Sequence, residues 1–273
     1  MISLGTPALR VELDPDHGAA LTSLRSDGVE WLADGVGAST PDPGNFLESG
    51  LRGYDDCFPS ISASGVVPDH GFVWSRPWEV VSVERDAATL RVEVPEYSCT
   101  LQRRVRVDDG VHLDYLLTSS ATAPVPFVWA GHCLFAAAGE LEVVMDAPVA
   151  RLDSSAGVEL DEPWRHDGDL YRWVDAKVGG YAKWFAPWPS EGVLLRRGTQ
   201  SLQVDAHADA SLPLMLGVWL NNEAFPRERP VSHLGLEPTI GDADDLALAV
   251  ERGTCGWVPR DIPLRWSVTL TPH

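Results

Sequence analysis

Three short segments hold ionisable groups where a plain strand or turn would not. Pro68-Asp69-His70-Gly71 keeps an imidazole in a turn, with Trp74, Arg76 and Trp78 close behind it. Phe127 to Phe135 is an apolar run with His132 at its centre. Leu234-Gly235-Leu236-Glu237-Pro238 isolates a carboxylate among apolar neighbours. A buried carboxylate is costly unless it is paired or used, and a buried imidazole must be neutral or partnered. Each group also has a bland reading: His70 capping a carbonyl in its turn, His132 as a core histidine, Glu237 accepting backbone N–H bonds. Two imidazoles and a carboxylate meeting in one cleft would form a general acid/base set. The sequence alone does not require them to meet.

The elements that must position these groups read as strands. In 89–94, Leu90, Val92 and Val94 alternate with Arg91 and Glu93. In 97–107, Cys99, Leu101, Val105 and Val107 share a face. Val111, Leu113 and Tyr115 repeat the pattern, as do Leu264, Trp266, Val268 and Leu270. Period-two alternation is the mark of half-buried antiparallel strands. Asp108-Asp109-Gly110 reads as the hairpin turn between two of them. The best helix is Asp242–Arg252, with Asp242 as its cap, Leu246 and Val250 on one face and Gly253 ending it. Loops rich in Gly, Pro and Asp are expected at Asp34–Asn45 and Asp153–Gly168. The expected architecture is one all-β domain, a large antiparallel sandwich or barrel, over residues 1–273.

Composition narrows the partners. The 273 residues carry 21 Lys+Arg against 40 Asp+Glu, a formal charge of −19. Such a chain is repelled by nucleic-acid phosphates and by anionic membrane surfaces. Cys57, Cys99, Cys133 and Cys255 form no C-x-x-C pair and read as free buried thiols of a reducing compartment. The first residues, Met1 to His17, show no basic or long apolar leader, and Leu212–Leu220 is too short and too broken to span a bilayer. A cytoplasmic protein is expected. His70 and His132 lack metal-ligand spacing. The 11 tryptophans offer flat apolar faces that suit a core and also suit a sugar ring.

Taken in order, the segments resemble the aldose 1-epimerase (galactose mutarotase-like) superfamily, over nearly the whole chain. Leu9–Leu13, His17-Gly18-Ala19-Ala20 and Glu30-Trp31-Leu32 resemble its first hairpin. Gly53-Tyr54-Asp55-Asp56-Cys57-Phe58-Pro59 resembles a segment that often reads G-W-D-E-C-F-P. Asp69-His70-Gly71 with Trp74 and Trp78, Gly131-His132-Cys133-Leu134-Phe135, Val218-Trp219-Leu220-Asn221 and Leu236-Glu237-Pro238, followed by Asp244-Asp245-Leu246, resemble further motifs, with Cys133 in place of a usual Pro.

The resemblance implies a large β-sandwich that interconverts the α and β anomers of a free aldose. It implies Glu237 as general base, His132 as general acid to the ring oxygen, and His70 beside that oxygen. It needs no metal, nucleotide or other cofactor. Trp74, Trp78 or Trp219 would supply apolar walls. Arg52 and Asp55 would bind hydroxyls, Asp55 or Asp56 alternatively capping a turn. The family's middle sugar-binding Asp has no clean match; Asp175 and Asp205 lack the expected neighbours. The implied partner is a monosaccharide, bound by a monomer or homodimer. Two alternatives stay open: a non-catalytic sugar-binding protein on the same fold, and a mutarotase of a modified sugar such as a hexose 6-phosphate, for which Arg76, Arg103 and Arg104 could build a phosphate pocket.

Overall fold

A computed structural model describes residues 1–34, 45–46, 52–136, 141–146 and 179–273 in full, and the backbone of 151–152, 164–167 and 170–173. The described residues form two ten-stranded antiparallel sheets and a small two-stranded one. The expected all-β sandwich is what the chain adopts. At the centre of the first sheet lie, in spatial order, the strands Tyr54–Cys57, Trp129–Ala136, Val231–Ile240, Leu214–Phe225 and Gly180–Pro187. The N-terminal strands from Ile2–Gly5 to Ala20–Ser26 extend it on one side. The second sheet carries the alternating strands, with Leu264–Pro272 paired to Val111–Ser119, and that strand to Cys99–Val107. Asp108-Asp109-Gly110 makes the hairpin, since Val107 faces Val111.

The alternation explains the core. Val111, Leu113, Tyr115, Leu264, Trp266, Val268 and Leu270 are buried, and with Leu13, Leu21, Tyr54, Trp129, Val218 and Leu236 of the first sheet they form one cluster. Arg103, on the same inward face, is also fully buried. All four cysteines are free and buried.

The helix differs from expectation. It spans Leu246–Arg252, and its cap is Asp245, whose carboxylate accepts from the N–H groups of Ala247 and Leu248. Asp242 accepts instead from the Thr254 hydroxyl, at 2.6 Å. The buried face pairs Leu246 with Ala249, and Val250 is exposed. Gly253 closes the helix in the left-handed region, as expected. Of the two expected loops, 35–44, 153–163 and 168 lie outside the described residues, as does Asp175; Trp164–Asp167 is a strand. No helix among the described residues is long and apolar enough to cross a membrane.

Helix and loops cover the outer face of the first sheet, away from the second sheet. On that face Cys57, Ala130 and Phe185 pack with Leu246 and Ala249 in one small cluster, while Phe46, Trp74 and Leu134, with Trp219 alongside, form another. A row of polar side chains runs between them.

Candidate active site

The row is set by register. Asp55 pairs with His132 across adjacent strands. The next strand pairs with His132's strand through Leu134↔Gly235 and Ala130↔Thr239, a register that brings Glu237 level with His132. Glu237 in turn lies opposite Gly217. Direct cross-strand partners share a face, so three strands distant in sequence deliver Asp55, His132 and Glu237 side by side. All three are buried. Room for the carboxylate comes from missing side chains: a Cβ at Gly235 would lie 2.7 Å from Glu237 Oε1, and one at Gly217 would lie 3.3 Å from Oε2.

His132 is held from both sides. Its Nδ1 lies 3.2 Å from Asp55 Oδ1, and its Nε2 lies 4.0 Å from Glu237 Oε1. Glu237 Oε2 pairs with the Lys183 ammonium, which also lies 3.7 Å from Asp244 Oδ1. Glu237 Oε1 has no hydrogen-bond partner. Burial pushes the Glu237 carboxyl up, but Lys183, then His132 and His70, outweigh it and leave it below the usual range. Burial pushes the His132 imidazolium down, and Asp55 with Glu237 more than reverses that. The charged neighbours thus favour the ionised form of each group.

His70 enters from a loop. Its backbone sits at φ 61°, a left-handed conformation, and Gly71 follows at φ 73°, so close to Phe58 that a Cβ would meet its carbonyl oxygen. Only glycine fits there. The His70 N–H donates to Ile61 O at 2.7 Å, and Nδ1 lies 3.0 Å from Asp69 Oδ2. The ring stacks on Phe46 at 3.4 Å and stands edge-on to His132 at 5.3 Å. The structure thus brings His70, His132 and Glu237 into one place.

The other expected residues fall around them. Trp74 is buried, edge-on to Phe46 at 5.0 Å, and its indole donates to Asp69 O. Trp219 is half-buried, opposite Gly235, and its Nε1 donates to His233 Nε2 at 2.9 Å. Burial and the nearby His132 hold the His233 imidazole down to about 3, so it is a neutral acceptor. Asp55 sits behind His132. Arg52 lies 3.8 Å from Asp14, which His17 contacts at 2.7 Å. Trp78 is a core residue under Arg103. Asp56, next to Asp55, points the opposite way into the core and takes Arg103 at 2.6 Å and the Trp129 indole at 2.9 Å; it does not cap a turn.

Lys183 and Phe46 were missed, and Asp244, though part of the motif that follows Glu237, had been given no role. Lys183 had a legible signal, a lone cation in the apolar run Tyr181 to Ala186, of the kind that marked His132 and Glu237. Among the described residues, the group with metal-ligand spacing is Asp108, Asp109 and His112 in the exposed hairpin, where Asp108 already pairs with Arg106 and His112.

A β-sandwich with a buried acid–base row beneath loops on one outer face is the class these features define. The model of the aldose 1-epimerase family matches residues 1–173. The chain belongs to the aldose 1-epimerase family and is an isomerase of that kind. No curated protein matches its sequence. Solved structures share the fold at low identity. A galactose mutarotase-like protein from Lactobacillus casei is 16% identical, covering 100% of each chain with a TM-score of 0.70. A galactose mutarotase related enzyme from Lactobacillus acidophilus is 14% identical over 100% of this chain and 97% of that one, with a TM-score of 0.71. The galactose 1-epimerase of the same species is 13% identical over 99% and 94%, with a TM-score of 0.62.

Proposed function

We propose that the chain interconverts the α and β anomers of a free, neutral aldose by acid/base ring opening and closure. Glu237 takes the proton of the anomeric hydroxyl, the C1–O5 bond breaks as the aldehyde forms, and His132 delivers its proton to O5. After rotation about C1–C2, protonated Glu237 returns its proton to the aldehyde oxygen and neutral His132 takes one from the O5 hydroxyl. The cycle balances without a metal, nucleotide or covalent intermediate. Asp55 contacts Nδ1 of His132 and leaves Nε2 for the substrate. His70 orients the sugar beside the ring oxygen.

The 4.0 Å separation of Glu237 Oε1 and His132 Nε2 carries this reading. The anomeric and ring oxygens are bonded to the same carbon, so base and acid must stand a few ångströms apart. Complementary ionisation supports it too: a base must begin charged and an imidazole acid must begin protonated. A neutral sugar is favoured because the three arginines suited to a phosphate pocket are committed: Arg76 to Glu96, Arg104 to Glu84, and Arg103 to Asp56 inside the core. The core shared by both sheets supports a single domain.

Saturation transfer between α- and β-anomer NMR signals, over a panel of neutral aldoses and a hexose 6-phosphate, tests the proposal. Acceleration over buffer for a neutral sugar is expected. Acceleration for the phosphate alone would overturn the substrate class. Binding without acceleration of any sugar would mark a carrier and overturn the enzyme reading.

A further inference from the structure

Glu237 has two carboxylate oxygens, and the site treats them differently. Oε2 is taken by Lys183, whereas Oε1 faces His132 without a hydrogen bond. Lys183 is itself almost wholly buried, on the Gly180–Pro187 strand, two strands from Glu237. Its Cα partner is Trp219, which in turn pairs with Gly235, two residues before Glu237 on the same face. The ammonium therefore reaches Glu237 diagonally across the sheet. It is held at its other side by Asp244, 3.7 Å away in the segment leading to the helix, and lies 5.5 Å from the Phe185 ring.

We propose that Lys183 is the positioning residue of the base: it fixes Glu237 Oε2, aims Oε1 alone at the substrate, and acts as a dedicated counter-ion that favours the charged carboxylate as the ring closes, with Asp244 anchoring the lysine. The inference rests on the epimerase reading for its kinetic consequence, but not for its electrostatic one. His132 has a counter-ion of its own in Asp55. Proton transfer to and from the sugar takes the pair from both ionised to both neutral. Lys183 on one side and Asp55 on the other disfavour the neutral pair, which corresponds to the open-chain aldehyde. Each thus promotes ring closure over release of the reactive intermediate.

Other charged or titratable groups face this pair from every side. Asp55 and Cys57 come from one strand, His132 from the next, His70 with Asp69 from the loop, His233 from the strand of Glu237, and Asp244 from the helix-leading segment, while Cys133 acts through the sheet from the core face. Lys183 is the fixed cation among them that directly pairs with Glu237; the His132 imidazolium loses its charge as pH rises.

The test compares wild type, Lys183→Met and Lys183→Arg. Rate against pH is followed by anomer exchange with the best sugar of the panel. Glu237 itself is titrated by carboxyl-labelled glutamate NMR, its signal assigned by absence in Glu237→Gln. An opposite charge this close shifts a carboxyl by about 1–3 units. In Lys183→Met the acid limb and the Glu237 signal should both move to higher pH by about that amount, with much of the rate recovered on the alkaline side. Lys183→Arg should hold the acid limb near the wild-type position. A folded Lys183→Met protein whose Glu237 titrates as in wild type overturns the proposal. If Lys183→Met does not fold, Lys183→Gln decides: a polar but uncharged side chain should shift Glu237 upward in the same direction, and an unmoved titration overturns the proposal. If wild type accelerates no sugar, the epimerase reading fails, while the NMR titration still judges the role of Lys183.

Discussion

Asp56–Arg103 and Glu237–Lys183 are two fully or almost fully buried ion pairs borne by the same molecule, and they are built to opposite ends. Asp56 faces the second sheet, with Arg103 on one oxygen and the Trp129 indole on the other. Arg103 also donates to Ala19 O and lies 5.1 Å from the Trp78 ring. Both carboxylate oxygens are satisfied, and the pair joins the sheets through the core. Glu237 lies on the other face of the first sheet, with one oxygen satisfied and one open toward His132. Burial dominates at Asp56 and leaves its carboxyl raised despite Arg103, whereas at Glu237 the surrounding cations win and leave it lowered. A buried carboxylate with both oxygens bonded links structure; one with a single oxygen bonded keeps the other for chemistry. The adjacent residues Asp55 and Asp56 show the division within one strand, since alternation sends one carboxylate to each region.

This division can be broken by experiment. The largest expected effect is Glu237→Gln, which removes the base while keeping the shape: anomer exchange of the folded protein should fall by at least about 10²–10⁴-fold. Retained exchange would take Glu237 out of the base role. Arg103→Met should do the reverse, costing about 3–5 kcal/mol of stability in urea unfolding while the folded fraction keeps its exchange rate. Loss of exchange without loss of stability would merge the two regions into one.

Gly235→Ala probes the open oxygen. Its Cβ would crowd Glu237 Oε1 at 2.7 Å and the Trp219 Cβ at 3.0 Å. The carboxylate is the more yielding neighbour, so exchange should drop by about 10²-fold with a modest stability change; an unaltered rate would show that the aim of Oε1 does not matter. The smallest effect is expected from Asp55→Asn. Exchange requires ionised Glu237 and protonated His132, so the rate falls at low pH as Glu237 protonates and at high pH as His132 deprotonates. Removing the anion beside His132 lowers its pKa, so the alkaline limb should move down by about one unit while the acid limb stays. A shift of the acid limb instead would mean that Asp55 serves Glu237.

The strands were legible because half-buried antiparallel strands alternate, and Leu264–Leu270 or Val111–Tyr115 need no partner to show it. His132 and Glu237 were legible as lone ionisable groups in apolar runs. Lys183 bears the same mark, but a lysine in such a run reads equally as one that reaches its amine to solvent. Asp55 and Asp56 could not be told apart in role: both follow Tyr54, and only knowledge of which face holds the second sheet assigns them. Arg103 looked available for phosphate for the same reason. The helix cap moved from Asp242 to Asp245 because both are acidic residues ahead of an apolar run, and local propensity does not choose between them.

The sequence by itself determined the all-β class, the acidic surface, the family motifs and the three residues expected to do chemistry. Those properties are local: they follow from side-chain type and from a period of two. Only the tertiary structure decided which residues meet. The register of five central strands, all but one adjacent pair of them far apart in the chain, set Asp55, His132 and Glu237 in one row, brought Lys183 diagonally to Glu237, and turned Asp56 away into the core. Cross-strand register depends on partners far apart in the chain and on which face is buried, and a shift of one residue would have sent every one of these groups to the opposite side.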